Sequence, residues 1–386
     1  MKVVFTGAAG GHFYPLIAIA ESLEEIVAER RLVSPQLFYF SDQPNAEQTL
    51  FASNLTFVRI PAGRLRRYAS FQNITDLFVT LHGFFVALFT LFRLYPDVVV
   101  SKGSYASVPV VLAASFLRIP IIIHESDAKP GRANIFASTR ATRIAVAYDS
   151  SIEYFPLKTR SKIARVGIPI RKQLRSLPMR AESIATFALD TSVPTILVLG
   201  GSSGSLRINE TVVDTLAELV GFANVIHQTG KKHIDAVTSR SKVVLSGSQS
   251  SARYHPFSYL SAEQLRTAAA ACDIVVSRAG ATSIAEISLW GKPAILIPIP
   301  ESVSHDQRTN AHAYAHTGAA VVLEEGNLTP HLLQSEIHRI VTDPSVAGAM
   351  SAHASGFSNP EAARIVAEEI VRIGLSHEPQ GPAPVV

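Results

Sequence analysis

Short runs of β-branched and aliphatic residues alternate along this chain with segments of helix length. The runs are Val3-Val4-Phe5, Val98-Val99-Val100, Ile121-Ile122-Ile123 and Ile144-Ala145-Val146, then Ile196-Leu197-Val198, Ile274-Val275-Val276 and Ile295-Leu296-Ile297. A strand that is apolar at consecutive positions must be covered on both faces, which is the condition of a parallel sheet with helices on either side. The class is therefore α/β. A strand, a glycine-rich loop and a helix occur from Val3 to Ala20 and again from Ile196 to about Leu219, each where a nucleotide-binding domain would begin. The chain has 386 residues, more than one hydrophobic core usually holds. Two similar domains in tandem are expected, residues 1–166 and 167–357, with Gly167-Ile168-Pro169-Ile170-Arg171 opening the second as a linker. The proline-rich tail at 376–386 is expected to be disordered.

Composition narrows the setting. Hydrophobic residues make up 47% and charged residues 17%, which excludes a disordered chain and leaves an apolar excess to place. The single cysteine, Cys272, excludes an intramolecular disulfide framework, and no Cys/His cluster has zinc-site spacing, so a reducing compartment fits. The N-terminus passes from an apolar run straight into glycines and reads as the start of a cytosolic domain, without the apolar stretch of a secretory signal. A net charge of +4 suits anionic lipid or phosphate ligands, and nothing asks for nucleic acid.

Part of the apolar excess is concentrated from Leu77 to Phe92, with Arg64, Arg66 and Arg67 before it and Arg93 after. This segment is short of the roughly 20 residues of a membrane-spanning helix. Asp76, Thr80, Gly83, Ala87 and Thr90 recur at helical spacing as a small or polar stripe, with phenylalanines and leucines over the rest. The pattern suits a helix lying in a bilayer interface, so residues of about 64–93 are expected to meet an anionic membrane surface. A core helix is the other reading.

Three loops carry candidate chemistry. Gly7-Ala8-Ala9-Gly10-Gly11-His12 joins a strand to a helix, so its amides can approach an anion while His12 sits where it can take a proton. A structural or capping histidine is the alternative. Gly200-Gly201-Ser202-Ser203-Gly204-Ser205 repeats the arrangement and can hold a diphosphate; it lacks the Lys-Ser/Thr ending of an NTPase loop and the GxGxxG spacing of dinucleotide sites. Ser277-Arg278-Ala279-Gly280-Ala281-Thr282-Ser283 leads into a helix carrying Glu286. That carboxylate can accept both hydroxyls of a ribose or simply complement the helix dipole.

Taken together the motifs resemble the MurG family, UDP-GlcNAc:lipid-linked muramyl-pentapeptide GlcNAc transferases of the GT-B fold. The resemblance runs from Lys2 to about Glu369. GGHFYP at Gly10 is similar to the family's first glycine loop, SKGSYASVP at Ser101 to its Gly-Tyr-x-Ser-x-Pro element, and HES at His124 to HEQN. GIPIR at Gly167 is similar to GNPVR, GGSSGS at Gly200 to GGSQGA, SRAGATSIAEI at Ser277 to the nucleoside site, and HDQRTNA at His305 to HQxxNA.

The resemblance implies two Rossmann-like domains facing a cleft, with a C-terminal helix at about 358–375 packing back on the first. It implies that Arg171, Ser202, Ser203 and Gly204 hold the UDP diphosphate with help from Thr282 and Ser283. Glu286 would bind the ribose, backbone near Phe257 the uracil, and Asp306 and Gln307 the donor sugar. Ala9, Gly10, Gly11, His12, Tyr105, His124 and Glu125 would line the acceptor side. Four residues depart from the family pattern: Ala9 replaces threonine, Asp127 the asparagine of HEQN, Ile168 an asparagine, and Asp306 a glutamine or histidine.

The reaction so implied is inverting attack of the muramyl C4 hydroxyl on the anomeric carbon of UDP-GlcNAc, at the cytoplasmic face of the cell membrane. His12 is the first choice of base, with Asp127 and Glu125 as alternatives. With no Asp-x-Asp pair beside these loops, no obligatory protein-held metal is expected, and a divalent cation bridging UDP alone stays open. Rival readings are a transferase to a diacylglycerol-type acceptor, a UDP-GlcNAc epimerase and a noncatalytic sugar-nucleotide-binding subunit.

Overall fold

The computed structural model describes residues 1–8, 10–44, 54–64, 72–201, 204–301 and 305–376. The chain divides into two compact units, Met1–Arg171 joined by the chain from Glu361 onward, and Lys172–Pro360. The pentapeptide Gly167 to Arg171 thus closes the first unit.

In the first unit β1 (Lys2–Thr6), β2 (Gln36–Ser41), β3 (Leu55–Arg59), β4 (Val98–Ser101), β5 (Ile121–Glu125), β6 (Arg143–Val146) and β7 (Ile163–Arg165) form one sheet in the order β3-β2-β1-β4-β5-β6-β7. Every pairing is parallel. Successive side chains leave opposite faces, so the continuous apolar runs feed two cores. Val3, Phe5, Val98, Val100 and Ile122 enter one, and Val4, Val99, Ile121 and Ile123 the other.

The first core is closed by the helix Phe13–Glu29 and the C-terminal helix Ala362–Leu375, which buries Ala362, Val366, Ile370 and Ile373. Ion pairs between Arg364 and Glu29 (2.7 Å) and between Arg30 and Glu368 rim that contact. Exposed pairs contribute about 0–1 kcal/mol each, against about 1.5–3 kcal/mol for each fully buried aliphatic side chain, so the apolar stripe holds the helix in place.

The second core is covered by the helix Gln72–Leu94, which at 23 residues is longer than the apolar run suggested. Its small stripe faces the protein: Gly83, Ala87 and Leu91 are buried, and Thr80 Oγ1 accepts the Gly63 N–H at 3.1 Å. Leu77, Phe78, Phe85, Phe89 and Phe92 point outward and are more than half exposed, Phe92 at 67%. The usual amphipathic arrangement is inverted. A Cβ on Gly83 would lie 1.7 Å from the Pro61 carbonyl oxygen. Gly83→Ala, worth about 1 kcal/mol of stabilisation in an open helix, should instead lower the urea midpoint, because displacing backbone costs about 1–3 kcal/mol.

In the second unit β8 (Thr195–Leu199), β9 (Asn224–Gln228), β10 (Tyr254–Phe257), β11 (Ile274–Ser277), β12 (Ala294–Leu296) and β13 (Ala320–Val322) form a parallel sheet in the order β10-β9-β8-β11-β12-β13. The α/β class and the two parallel sheets expected from the sequence are both present. Strand order reverses between β1 and β4 and again between β8 and β11, and the carboxyl ends there are where open α/β sheets bind ligands.

Candidate active site

At the β1/β4 reversal, the loop leaving β1 is pinned by its Gly7 carbonyl, which accepts Tyr39 OH (3.0 Å) and Ser41 Oγ (2.8 Å). Gly10 takes φ +84°, open to glycine without strain, and turns the chain so that Gly10–His12 form a short 3-10 turn entering the helix Phe13–Glu29. His12 occupies the N-cap position. Burial, and then the charge of Lys102, lower its pKa to about 4, with Asp127 acting in the opposite direction. At neutral pH the ring is therefore uncharged and free to accept a proton. The same causes place Lys102 and Asp127 within electrostatic reach of His12.

Glu125, at the end of β5, is 2% exposed. Its Oε1 accepts the Asp127 N–H (2.9 Å), and its Oε2 accepts the Gly131 N–H (3.0 Å) and Asn134 Nδ2 (2.9 Å). Burial first and the Asp127 charge second push its pKa up to about 7. This carboxylate is saturated by the loop it organises, which suits a positioning role better than that of base. His124 is fully buried; its Nε2 donates to the Gly167 carbonyl at 2.8 Å, and burial lowers its pKa to about 3. His124, expected on the acceptor side, is thus enclosed by the first unit, with its ring tied to the segment that follows β7.

Tyr105 is half-buried. Its hydroxyl donates to Asp42 Oδ2 (2.7 Å) and accepts from Arg64 Nη2 (2.8 Å), with the Arg64 guanidinium 4.6 Å above its ring. Burial and the bond to Asp42 raise its pKa. The preceding Ser104 has φ 76° and ψ 170°, a region that is essentially glycine's, and its buried Oγ has no partner among the described residues. Ser104→Gly should therefore raise unfolding stability by about 1–3 kcal/mol, the usual cost of such strain, read as a higher urea midpoint at unchanged slope.

In the second unit, Gly204 has φ +78°, and a Cβ there would lie 2.3 Å from the Thr229 carbonyl oxygen. Ser205 caps the helix Leu206–Asp214 by accepting the Ile208 N–H. The helix Ala281–Leu289 follows β11 and carries Glu286 one turn after Thr282 (i, i+4) and Ser283 (i, i+3), so both hydroxyl residues neighbour the carboxylate. Glu286 is 7% exposed. Asp306 and Gln307 stand in the first turn of the helix His305–Ala315, where Gln307 Oε1 accepts the Ile299 N–H at 3.2 Å.

The Phe257 carbonyl already accepts the Thr229 N–H (2.9 Å) and Oγ1 (3.2 Å), so that group is engaged with its own sheet. Arg171 belongs to the first unit, where its guanidinium stacks 4.3 Å over the Tyr14 ring. Ala9, Ser202 and Ser203, together with Arg66 and Arg67 near the apolar helix and residues 377–386 of the tail, lie outside the described residues.

Three residues had no assigned role in the sequence reading. Asn134 holds Glu125 and closes over Gly103. Lys102 is 3% exposed between the first loop and β5. Arg278 donates to Ser205 Oγ (2.7 Å) and to the Ile297 (3.1 Å) and Pro298 (3.3 Å) carbonyls, and pairs with Glu325, so it ties several second-unit loops together. Lys102 and Arg278 each stand in a motif read from the sequence, as a cation directly after an apolar strand.

Residues 3–146 match the model of the glycosyltransferase family 28 N-terminal domain, and residues 195–366 that of its C-terminal domain. A Lachnospira eligens protein named UDP-N-acetylglucosamine--N-acetylmuramyl-(pentapeptide) pyrophosphoryl-undecaprenol N-acetylglucosamine transferase is 37% identical over 345 residues, 89% of this chain and 91% of that one. A Treponema denticola protein of the same name is 35% identical over 354 residues, 90% of each chain. Among solved structures, Acinetobacter baumannii MurG aligns over 96% of this chain and 100% of its own with a TM-score of 0.71 at 24% identity. A Listeria monocytogenes protein described as a UDP-N-acetylglucosamine 2-epimerase aligns over 95% and 94% with a TM-score of 0.67 at 12% identity. At such identities the structural likeness speaks for the fold alone, whereas the sequence relatives agree over nearly the whole chain. This chain belongs to glycosyltransferase family 28, in the MurG family of N-acetylglucosamine transferases.

Proposed function

We propose that the protein transfers GlcNAc from UDP-GlcNAc, with inversion, to the C4 hydroxyl of the muramyl-pentapeptide carried on undecaprenyl diphosphate. The observation that carries this reading is a second unit in which a glycine loop caps one switch-point helix while Glu286 sits buried on the next. This arrangement offers helix-terminal amides to a diphosphate and a carboxylate to a ribose, and relatives named for this transfer align across it. Glu286 takes the ribose hydroxyls, Thr282 and Ser283 assist at the diphosphate, and Gln307 faces the donor sugar with Asp306. On the first unit His12 accepts the proton of the attacking hydroxyl, and Asp127 favours the imidazolium as it forms.

The apolar face of the helix Gln72–Leu94 carries the protein at the cytoplasmic surface of the membrane. Gly83, Ala87 and Leu91 anchor the helix to the core between two strands of one sheet, so it lies in the interface with Arg64 and Arg93 at its rim. No protein-held metal takes part; the leaving diphosphate is stabilised by helix dipoles and loop amides. The test is incubation with labelled UDP-GlcNAc and a short-chain lipid-linked muramyl-pentapeptide in EDTA, which should yield a labelled disaccharide lipid. UDP binding without any such product, with or without added Mg²⁺, would overturn the acceptor assignment.

A further inference from the structure

β9 lies between β8, which leads into the second glycine loop, and β10, which ends at Phe257. Three consecutive residues at the carboxyl end of β9 reach toward both neighbours. His227 is fully buried, with Nε2 3.1 Å from Asn209 Oδ1 and Nδ1 3.0 Å from the Tyr254 hydroxyl. Asn209 Nδ2 is committed to the Thr229 carbonyl (2.9 Å), so Oδ1 accepts, His227 Nε2 carries the proton and Nδ1 accepts from the tyrosine. Thr229 donates to the Phe257 carbonyl on one side, and on the other its own carbonyl abuts Gly204.

Gln228 goes further, because it bonds the two loops themselves and not the helix and strand that carry them. Its Nε2 donates to the Gly201 carbonyl (3.3 Å) in the glycine loop, and its Oε1 accepts the Leu260 N–H (2.9 Å) just beyond Phe257. A carbonyl can only accept and an N–H only donate, so the amide has a single orientation. The side chain is 7% exposed and is held at both ends. A ligand with two anchoring groups gains fully from both only if the subsites stand at the separation its own skeleton imposes, since the second contact is then intramolecular.

We infer that Gln228 is a positioning residue that holds the donor's diphosphate and uracil subsites in register, so that a uridine diphosphate engages both at once. The inference rests on the reading that the diphosphate meets the second glycine loop and the uracil the backbone near Phe257. Gln228 acts through Gly201 and Leu260, and His227 and Thr229 brace the same two sides from below.

The test compares Gln228→Met, which keeps the length of the side chain and removes both hydrogen bonds, with the wild-type protein. UDP and uridine are titrated calorimetrically into each. Gln228→Met should weaken UDP by about 10- to 100-fold, the range between one lost hydrogen bond and a misplacement of about 1 Å. Uridine, which occupies one subsite, should weaken far less. KM for UDP-GlcNAc should rise in step with the UDP loss, with KM for the acceptor unchanged. The urea midpoint should fall as well, because the buried Leu260 N–H loses its acceptor. The ratio of the two affinities, and not either value alone, therefore reports the register. Gln228→Asn, one methylene too short to hold both loops, should lie between the two proteins.

An equal loss for UDP and uridine, as a general loosening of the unit would give, or an unchanged UDP affinity would overturn the inference. If Gln228→Met does not fold, Gln228→Asn carries the same comparisons. Glu286→Ala is the control on the underlying donor reading. If that variant weakens UDP and Gln228→Met does not, the inference fails alone; if neither does, the donor site itself is misplaced and the inference falls with it.

Discussion

His12→Ala should lower kcat by about 100- to 10,000-fold, the contribution of a positioned general base, while UDP affinity changes little because the donor loops lie on the other unit. The half-buried ring is uncharged at neutral pH, so no prior deprotonation is needed, and its pKa of about 4 makes it a modest base until the charge of Asp127 supports the imidazolium. The pH profile discriminates among the candidates. A base works unprotonated, so kcat/KM falls as pH drops through the free-enzyme pKa. With His12 as base that fall is centred near pH 4, well below an ordinary histidine, whereas with Glu125 it would be centred near pH 7. An acid limb near 7 together with an active His12→Ala variant would transfer the role to Glu125. Asp127→Asn, which preserves shape and removes charge, should lower kcat without changing KM for either substrate.

Glu286→Ala should raise KM for UDP-GlcNAc by about 10- to 100-fold with kcat within a few-fold of wild type, since hydrogen bonds to a charged group contribute about 1.5–3 kcal/mol in ground and transition state alike. The side chain is nearly buried on the helix Ala281–Leu289, and Glu286→Gln preserves its packing while removing the charge. A nonreacting nucleotide reports the contact directly. UDP and its 2′,3′-dideoxy analogue should differ in affinity on the wild type and bind Glu286→Ala almost equally. If the variant retained full discrimination between the two, the ribose assignment would fail and the carboxylate would be left as a helix-dipole partner.

The chain's local pattern carries the architecture. Consecutive apolar residues in Val3-Val4-Phe5 or Ile121-Ile122-Ile123 require cover on both faces, and the glycines at Gly10 and Gly204 mark the turns into the helices Phe13–Glu29 and Leu206–Asp214. The apolar helix is half legible in the same way. Periodicity shows that Gly83 and Ala87 share a stripe, but the stripe that touches the core is decided by Pro61 and Gly63 pressing on it.

The tertiary structure decides which polar residues remain available for chemistry. His124, Glu125 and Tyr105 read equally well as ligand-facing groups until their partners are in place: Gly167 and Asp42 from distant points of the chain, and Asn134 from the helix that follows β5. Lys102 and Arg278 look alike in sequence, each a cation after an apolar strand, yet Arg278 reaches Ser205, 73 residues away, while Lys102 packs beneath Gly7 at the end of β1. Local propensity follows neighbours along the chain. Desolvation and hydrogen-bond saturation depend on neighbours in space, and those determine the charge and reach of each candidate residue.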